Sequence, residues 1–182
     1  MNLTTRTVRR ITAAAAVACA AILVPAIALA APGSPAGPAS PAVVRACETP
    51  GLVIWLNTNG IGTAGSVFYH LKFTNLSRHR CTLNGFPFVT AVNLRRHQLG
   101  RRASFDHTSV PHVVTLGRGK TARAVLQVVD VSNFPPSACH PVIAAGLRVF
   151  PPNQTRSKVI PFPFGACSLR GPVYLTVQPV RK

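Results

Sequence analysis

The chain has 182 residues and a formal net charge of +17, from 20 lysines and arginines against only three acidic residues. This length allows one domain and leaves little room for a second. Because the acids are only Glu48, Asp106 and Asp130, the sequence argues against a glycosidase with paired carboxylates and against a calcium site. The positive charge favours contact with polyanions without indicating which one.

Residues 1–30 have the order of a secretory signal peptide. Three arginines precede an apolar run at residues 11–24, and Ala28, Leu29 and Ala30 form an A-x-A cleavage motif. We therefore predict export with cleavage after Ala30, which lowers the net charge from +17 to +14 by removing those arginines. One alternative is an uncleaved membrane anchor, for which the run is short. The other is lipid attachment at Cys19, which lacks the usual preceding leucine.

The next segment, residues 31–46, is rich in Pro, Ala, Gly and Ser. Such a composition buries too little apolar surface to offset the entropy of ordering the chain, so we predict a flexible linker. One folded domain is then expected over residues 47–182. This part contains no apolar run of transmembrane length, and we expect no transmembrane segment in the mature chain.

Four cysteines remain after the predicted cleavage: Cys47, Cys81, Cys139 and Cys167. An even number behind an export signal indicates two disulfides formed in an oxidising compartment. Three pairings are possible. We predict Cys47–Cys81 and Cys139–Cys167, because each closes a loop of about thirty residues within one half of the domain. The cysteines contain no C-x-x-C pair, so their spacing disfavours zinc.

The apolar runs of this domain are short and separated by turn signals. Residues 52–56 predict a first strand with Trp55 in the core, and the Asn- and Gly-rich residues 57–60 predict its end. The following segment, residues 66–75, alternates clearly between apolar and polar positions. Its predicted inner face consists of Val67, Tyr69, Leu71 and Phe73.

Later strands are predicted from the same signals, with a polar and basic excursion at residues 95–109 and at most one helical turn near residues 142–146. These strands fall at residues 88–94, 110–116, 122–128, 147–150, 159–163 and 173–177. The pattern predicts an all-β fold, an antiparallel two-sheet β-sandwich of the immunoglobulin-like class with seven to nine short strands.

Several of these segments together resemble one known family. They are the runs at residues 73–77, 81–87, 114–119, 146–152 and 175–180, with Cys139, Phe162 and Cys167 between them. In this order they are similar to the actinobacterial exported family called domain of unknown function 4232. The resemblance covers residues 47–180. It implies export, a β-sandwich and paired cysteines, and it brings no activity with it.

The strongest candidate site is the basic part of the excursion, with Arg95, Arg96, Arg101 and Arg102. Guanidinium groups bind phosphates and sulfates in a bidentate manner, so this segment predicts a polyanion site. The alternative is a solvated basic hairpin that keeps edge strands apart. Nucleic acid is the less favoured ligand, because only Phe105 is close enough in sequence to stack on bases.

Catalytic and metal chemistry have weaker support. Residues 104–109 contain Ser, Asp and His, but adjacency does not assemble a catalytic triad. The histidines show no H-x-H or H-x-x-x-H spacing for a metal. We therefore predict no enzyme activity, no cofactor and no metal. The sequence favours an exported module at the cell envelope or outside the cell that contacts a protein or an anionic polymer; polyanion binding through residues 95–102 is the alternative.

Overall fold

The computed structural model describes residues 43–182. The predicted signal peptide over residues 1–30 and most of the predicted linker over residues 31–46 lie outside the described residues. Within the described part, no helix is long and apolar enough to cross a membrane.

Eleven strands and one single-turn helix make up the described chain. The strands are β1 (Leu52–Thr63), β2 (Ser66–Asn75), β3 (Cys81–Leu83), β4 (Phe88–Val92), β5 (Gln98–Leu99), β6 (Ser104–Phe105), β7 (Val114–Leu116), β8 (Thr121–Val129), β9 (Pro141–Phe150), β10 (Lys158–Cys167) and β11 (Leu175–Val177). The helix, α1, spans Pro136–Cys139, and 3-10 turns lie at Thr49–Gly51 and Val131–Asn133.

The strands form two main sheets. One has five strands in the order β1-β2-β8-β11-β6, the other has four in the order β10-β9-β4-β5, and β3 pairs with β7 in a small third sheet. All these pairs are antiparallel except β11 with β6. Buried residues of both main sheets belong to a single core cluster, so the sheets pack face to face as in a β-sandwich.

The predicted β-sandwich is confirmed, and the alternating segments are its most accurate part. Strand β2 has the predicted bounds, and Leu71 and Phe73 on its inner face are fully buried. The inner positions of β8 are also buried, at Ala122, Ala124, Leu126 and Val128. The strand count exceeds the predicted seven to nine because five strands have only two or three residues.

Two predictions about β1 are wrong. The strand does not end at residues 57–60 but continues to Thr63, with an irregular register between Asn57 and Ile61. The Asn57 side chain accepts the Asn59 N–H at 3.1 Å, so the polar residues form a bulge inside the ladder rather than a turn. Trp55 is not in the core but is 39% exposed, because Ile54 takes the inner face and strand neighbours alternate.

Strand β9 corrects the prediction of a helical turn near residues 142–146. These residues lie within Pro141–Phe150, and the single helical turn comes earlier, at Pro136–Cys139. Gly146 pairs with Pro161 of β10, and a Cβ added at Gly146 would lie 2.2 Å from the Ile160 carbonyl oxygen. The close approach of two strands, rather than a helix, accounts for the small residues at this point.

Both predicted disulfides are present. Cys47 is joined to Cys81 and Cys139 to Cys167, and all four residues are buried. The first bridge ties the segment before β1 to β3, and the second ties α1 to the end of β10. Disulfides of this kind persist in oxidising compartments, so their presence fits a protein outside the cytosol.

Among the residues that the structure describes, Tyr174, which precedes β11, is the largest fully buried side chain. Its hydroxyl donates a hydrogen bond to the Leu99 carbonyl oxygen at 3.0 Å. We expect Tyr174→Phe to lower the free energy of unfolding by about 1–2 kcal/mol, because the buried carbonyl loses its partner. Urea unfolding at neutral pH measures this loss, and an unchanged midpoint would show that the bond contributes nothing.

The same variant has a signature at high pH. Burial raises the pKa of Tyr174 above its ordinary value of 10.0. The unfolded chain therefore loses this proton first, and the folded protein is destabilised as the pH rises through and above 10. We expect the Tyr174→Phe variant to lose less stability over this range than the unmodified protein.

Candidate functional site

The four predicted arginines are all exposed, and the strands divide them into two pairs. Arg95 and Arg96 occupy the turn between β4 and β5. Asn93 closes this turn: its side chain accepts the His97 N–H at 2.9 Å, and its carbonyl accepts the Arg96 N–H at 2.8 Å. This pair therefore sits at the tip of the hairpin formed by β4 and β5.

Arg101 and Arg102 follow β5 and are held at both ends. Before them, Gly100 donates its N–H to the Ser168 carbonyl oxygen at 3.3 Å. After them, Ala103 is 3% exposed and donates its N–H to the Val89 carbonyl oxygen at 2.8 Å. The excursion predicted at residues 95–109 is thus anchored to the four-stranded sheet at this point. These two hydrogen bonds therefore fix the backbone positions from which the two arginine side chains extend.

A positive φ is required at Gly100. Its φ is 61°, and an added Cβ would lie 2.6 Å from the Cys167 carbonyl oxygen and 2.8 Å from the Tyr174 ring. Glycine tolerates this left-handed conformation, and only glycine leaves room for the neighbouring backbone. The anchoring of the arginine pair thus depends on a residue that is packed against the core.

Arg102 contacts an aromatic ring of β4. Its guanidinium carbon lies 5.1 Å from the centre of the Phe88 ring. Arginine stacks on aromatic faces and keeps its five donors free in a planar fork. This contact places a positively charged donor group beside an apolar surface.

That apolar surface is a groove lined by phenylalanines, which we call the aromatic groove. The rings of Phe86 and Phe105 stack at 4.7 Å between centres, and those of Phe88 and Phe150 meet edge to face at 5.7 Å. The groove has a volume of about 500 Å³, which is within the usual range for ligand pockets. Its lining consists of Phe86, Phe88, Phe105, Phe150, Pro151, Asn153, Gln154 and Thr155.

A second concavity, the basic pocket, shares Phe105 with the aromatic groove and contains the arginine pair. It has a volume of about 380 Å³ and is lined by Arg101, Arg102, Ala103, Ser104, Phe105, His107 and Val173. Phe105 is 38% exposed and lies between the two concavities. Together they combine aromatic area with two guanidinium groups on one surface, a pairing of residue types that is enriched in protein interfaces.

The acidic residue beside this surface is already engaged within the protein. Asp106 accepts the Thr108 N–H at 2.9 Å and a hydrogen bond from the Gln178 side chain at 2.9 Å. Hydrogen bonds from Thr108, followed by that from Gln178, hold the pKa of Asp106 below its ordinary value. Its carboxylate is therefore ionised at neutral pH and stabilises the loop.

Phe105 is the aromatic residue close to the arginines in sequence, but the folded chain brings three more to them in space. Phe86 and Phe88, which belong to one short segment, and Phe150, which is distant in sequence, line the same site. Phe88 and Phe150 meet because β4 and β9 pair in that register. The sequence shows the Phe86 and Phe88 pair, but it does not show that these rings meet Phe105 and Phe150, because those contacts form between separate strands.

The residue types of a catalytic triad at residues 104–109 are not assembled. Asp106 bonds to Thr108 and Gln178, whereas the His107 ring lies 5.0 Å from Phe86. A serine and a histidine do meet elsewhere, where His140 Nδ1 lies 2.9 Å from Ser168 Oγ. That hydroxyl also donates to the His140 carbonyl oxygen at 3.0 Å, so the pair holds two chain segments together beside a disulfide.

Metal ligands are likewise not grouped in the described part of the chain. Among residues 43–182, no three His, Cys, Asp or Glu side chains lie close enough together to hold a metal ion.

Comparison with known proteins adds one match. A family model described as Domain of unknown function (DUF4232) matches residues 47–181. No curated protein and no solved structure matches the chain.

Proposed function

The chain belongs to the DUF4232 family, a domain of unknown function, and on that premise we propose that it is an exported, non-catalytic binding module. Its ligand is an acidic segment of another envelope or extracellular protein, with an apolar side chain beside a carboxylate. The aromatic groove receives the apolar side chain, and Arg101 and Arg102 bind the carboxylate.

One observation carries this proposal: the Arg102 guanidinium lies over Phe88 at the border of the aromatic groove. Aromatic and arginine side chains carry much of the binding energy of an interface when the partner covers them and excludes water. The net charge of +14 that remains after the predicted cleavage also attracts acidic partners and raises their association rate. The predicted signal peptide and the two disulfides support a location outside the cytosol.

The proposal is tested with an anionic aromatic dye, anilinonaphthalene sulfonate. Like the proposed ligand, the dye combines an apolar group with a negatively charged one. We expect the Arg101→Ala/Arg102→Ala variant to bind the dye about tenfold more weakly, because it loses charge-assisted contacts. Fluorescence titration of the folded protein gives the dissociation constant. A thermal unfolding curve for each variant confirms that the fold is retained.

The matched control is Arg95→Ala/Arg96→Ala, which removes the same charge from exposed positions in the neighbouring turn. We expect this variant to bind the dye within about twofold of the unmodified protein, since Arg95 and Arg96 line neither concavity and exposed charges are screened by salt. Equal weakening by both double substitutions would show that only net charge matters. That result would overturn the proposed site.

A further inference from the structure

The outer face of the five-stranded sheet carries a line of positive charges, which we call the cationic row. It consists of Lys72 on β2, Arg123 on β8 and Arg181 after β11, and Trp55 on β1 lies at its end. Backbone pairing fixes the order: Trp55 lies opposite Lys72, Lys72 opposite Arg123, and Arg123 opposite Arg181. The row therefore crosses four neighbouring chain segments.

The indole ring and the ammonium group at the end of the row are held in place. Lys72 Nζ lies 4.6 Å from the centre of the Trp55 ring, a cation–π contact. The indole N–H donates to the Thr74 hydroxyl at 3.3 Å, and that hydroxyl bonds to Thr121 at 2.9 Å. Trp55 is consequently fixed along the sheet surface with 39% of its area exposed.

The arrangement of the cationic row is unfavourable for the isolated protein. Like charges placed directly opposite one another on neighbouring strands destabilise a sheet. Here two such pairs follow in succession, Lys72 with Arg123 and Arg123 with Arg181. None of the three acidic residues of the sequence belongs to the row. Asp106, which follows the edge strand β6 of this sheet, is bonded to Thr108 and Gln178 instead. A bound anion would relieve this repulsion.

The spacing of the row indicates the shape of that anion. Neighbouring strands lie about 4.8 Å apart, so the backbone positions of the three cationic residues follow one another at regular intervals in a line across the strands. A linear polymer with repeated negative charges matches such a line along its length. A lipid surface fits less well, because membrane binding needs apolar side chains that penetrate the bilayer, whereas Trp55 is bonded along the sheet.

We propose that the cationic row, with Trp55 at its end, binds a linear anionic polymer that lies across the strands of the five-stranded sheet. The repeated anionic groups contact Lys72, Arg123 and Arg181 in turn. This surface is separate from the aromatic groove and contains none of its residues.

The test measures binding of the full chain to heparin, a linear sulfated polysaccharide, at several salt concentrations. We expect Lys72→Gln/Arg123→Gln/Arg181→Gln to weaken binding at least about tenfold and to flatten the salt dependence, because fewer counterions are released. The matched control is Arg78→Gln/Arg80→Gln/Arg156→Gln, which removes three exposed arginines outside the row. We expect this control to retain binding within about threefold, since exposed charges at a distance are screened.

A stability measurement shows whether the charges of the cationic row repel one another in the unbound protein. Relief of repulsion predicts that the Lys72→Gln/Arg123→Gln/Arg181→Gln variant unfolds at a higher temperature than the unmodified protein at low salt. Heparin should raise the unfolding temperature of the unmodified protein more than that of this variant.

Two results would overturn the inference. The first is an equal loss of heparin binding in the control, which would indicate a diffuse charge effect. The second is tighter binding to phosphatidylserine vesicles than to heparin that also depends on the row, which would make the surface a membrane site. Neither result bears on dye binding at Arg101 and Arg102, so the two proposals fail separately.

Discussion

Replacing Cys139 and Cys167 together by alanine is expected to lower the free energy of unfolding by about 3–4 kcal/mol. The disulfide joins residues 28 apart in sequence, and its loss allows the unfolded chain many more conformations. Both cysteines are fully buried, so their removal also leaves unfilled volume between α1 and the end of β10.

Urea unfolding with and without a reducing agent measures this effect. The unmodified protein should shift toward the midpoint of the variant when it is reduced, whereas the variant should shift less because only Cys47–Cys81 remains. The variant Cys47→Ala/Cys81→Ala provides the comparison, since its bridge spans a similar separation of 34 residues. If a reducing agent leaves the unfolding midpoint of the unmodified protein unchanged, the cysteines of the native protein are not paired.

Gly146→Ala is expected to destabilise the protein by about 3 kcal/mol, the upper part of the usual range for overpacking. The added Cβ would lie 2.2 Å from the Ile160 carbonyl oxygen and 3.3 Å from the Phe162 nitrogen. Both are backbone atoms of β10, so no side-chain rotation removes the clash. The strands β9 and β10 must separate locally, which breaks part of their ladder.

Gly62→Ala is the matched control for this substitution. Gly62 also lies within a strand, β1, but an added Cβ there meets nothing within 4 Å. We expect a small change in stability, within about 1 kcal/mol, since alanine restricts the unfolded chain more than glycine does. Thermal and urea unfolding of both variants give the comparison. Similar losses of stability at the two positions would mean that β10 does not approach Gly146 closely enough to clash with a Cβ atom.

The parts of the fold that could be predicted are those in which burial follows a strict alternation. Strand β2 was predicted correctly because its apolar and polar residues alternate, and in its second half buried positions alternate with half-buried ones. The phase of such an alternation is harder to assign when both faces carry apolar residues. Val53 and Trp55 are as apolar as Ile54, and the sequence alone does not show which of them faces inward.

Other elements depend on contacts that are distant in sequence. The strands β5 and β6 have two residues each and exist only because β4 and β11 pair with them. In β9, the buried positions Ala144 and Gly146 hold small residues and the position between them is also an alanine, so the residue types show no alternation between apolar and polar. Local propensity is weak at such positions, and tertiary packing decides their conformation.

Only the positive charge of the candidate site could be predicted from the sequence. The sequence indicates the arginines directly, since they are adjacent. It does not indicate that Arg102 reaches Phe88 or that Phe150 lies beside Phe88, because both contacts require the packed strands. The cationic row was missed for the same reason: its members are far apart in sequence and meet only through strand pairing.

The placement of β11 has a practical consequence for work with this protein. This strand lies between β8 and β6. After it, Val180 is fully buried. Arg181 and Arg123 then exchange two backbone hydrogen bonds, each N–H to the other residue's carbonyl oxygen at 2.8 Å. A purification tag or a fusion partner attached directly after Lys182 would crowd Arg181. Attachment through the residues before Val43 leaves the segment around Arg181 unmodified, so both surfaces can be assayed.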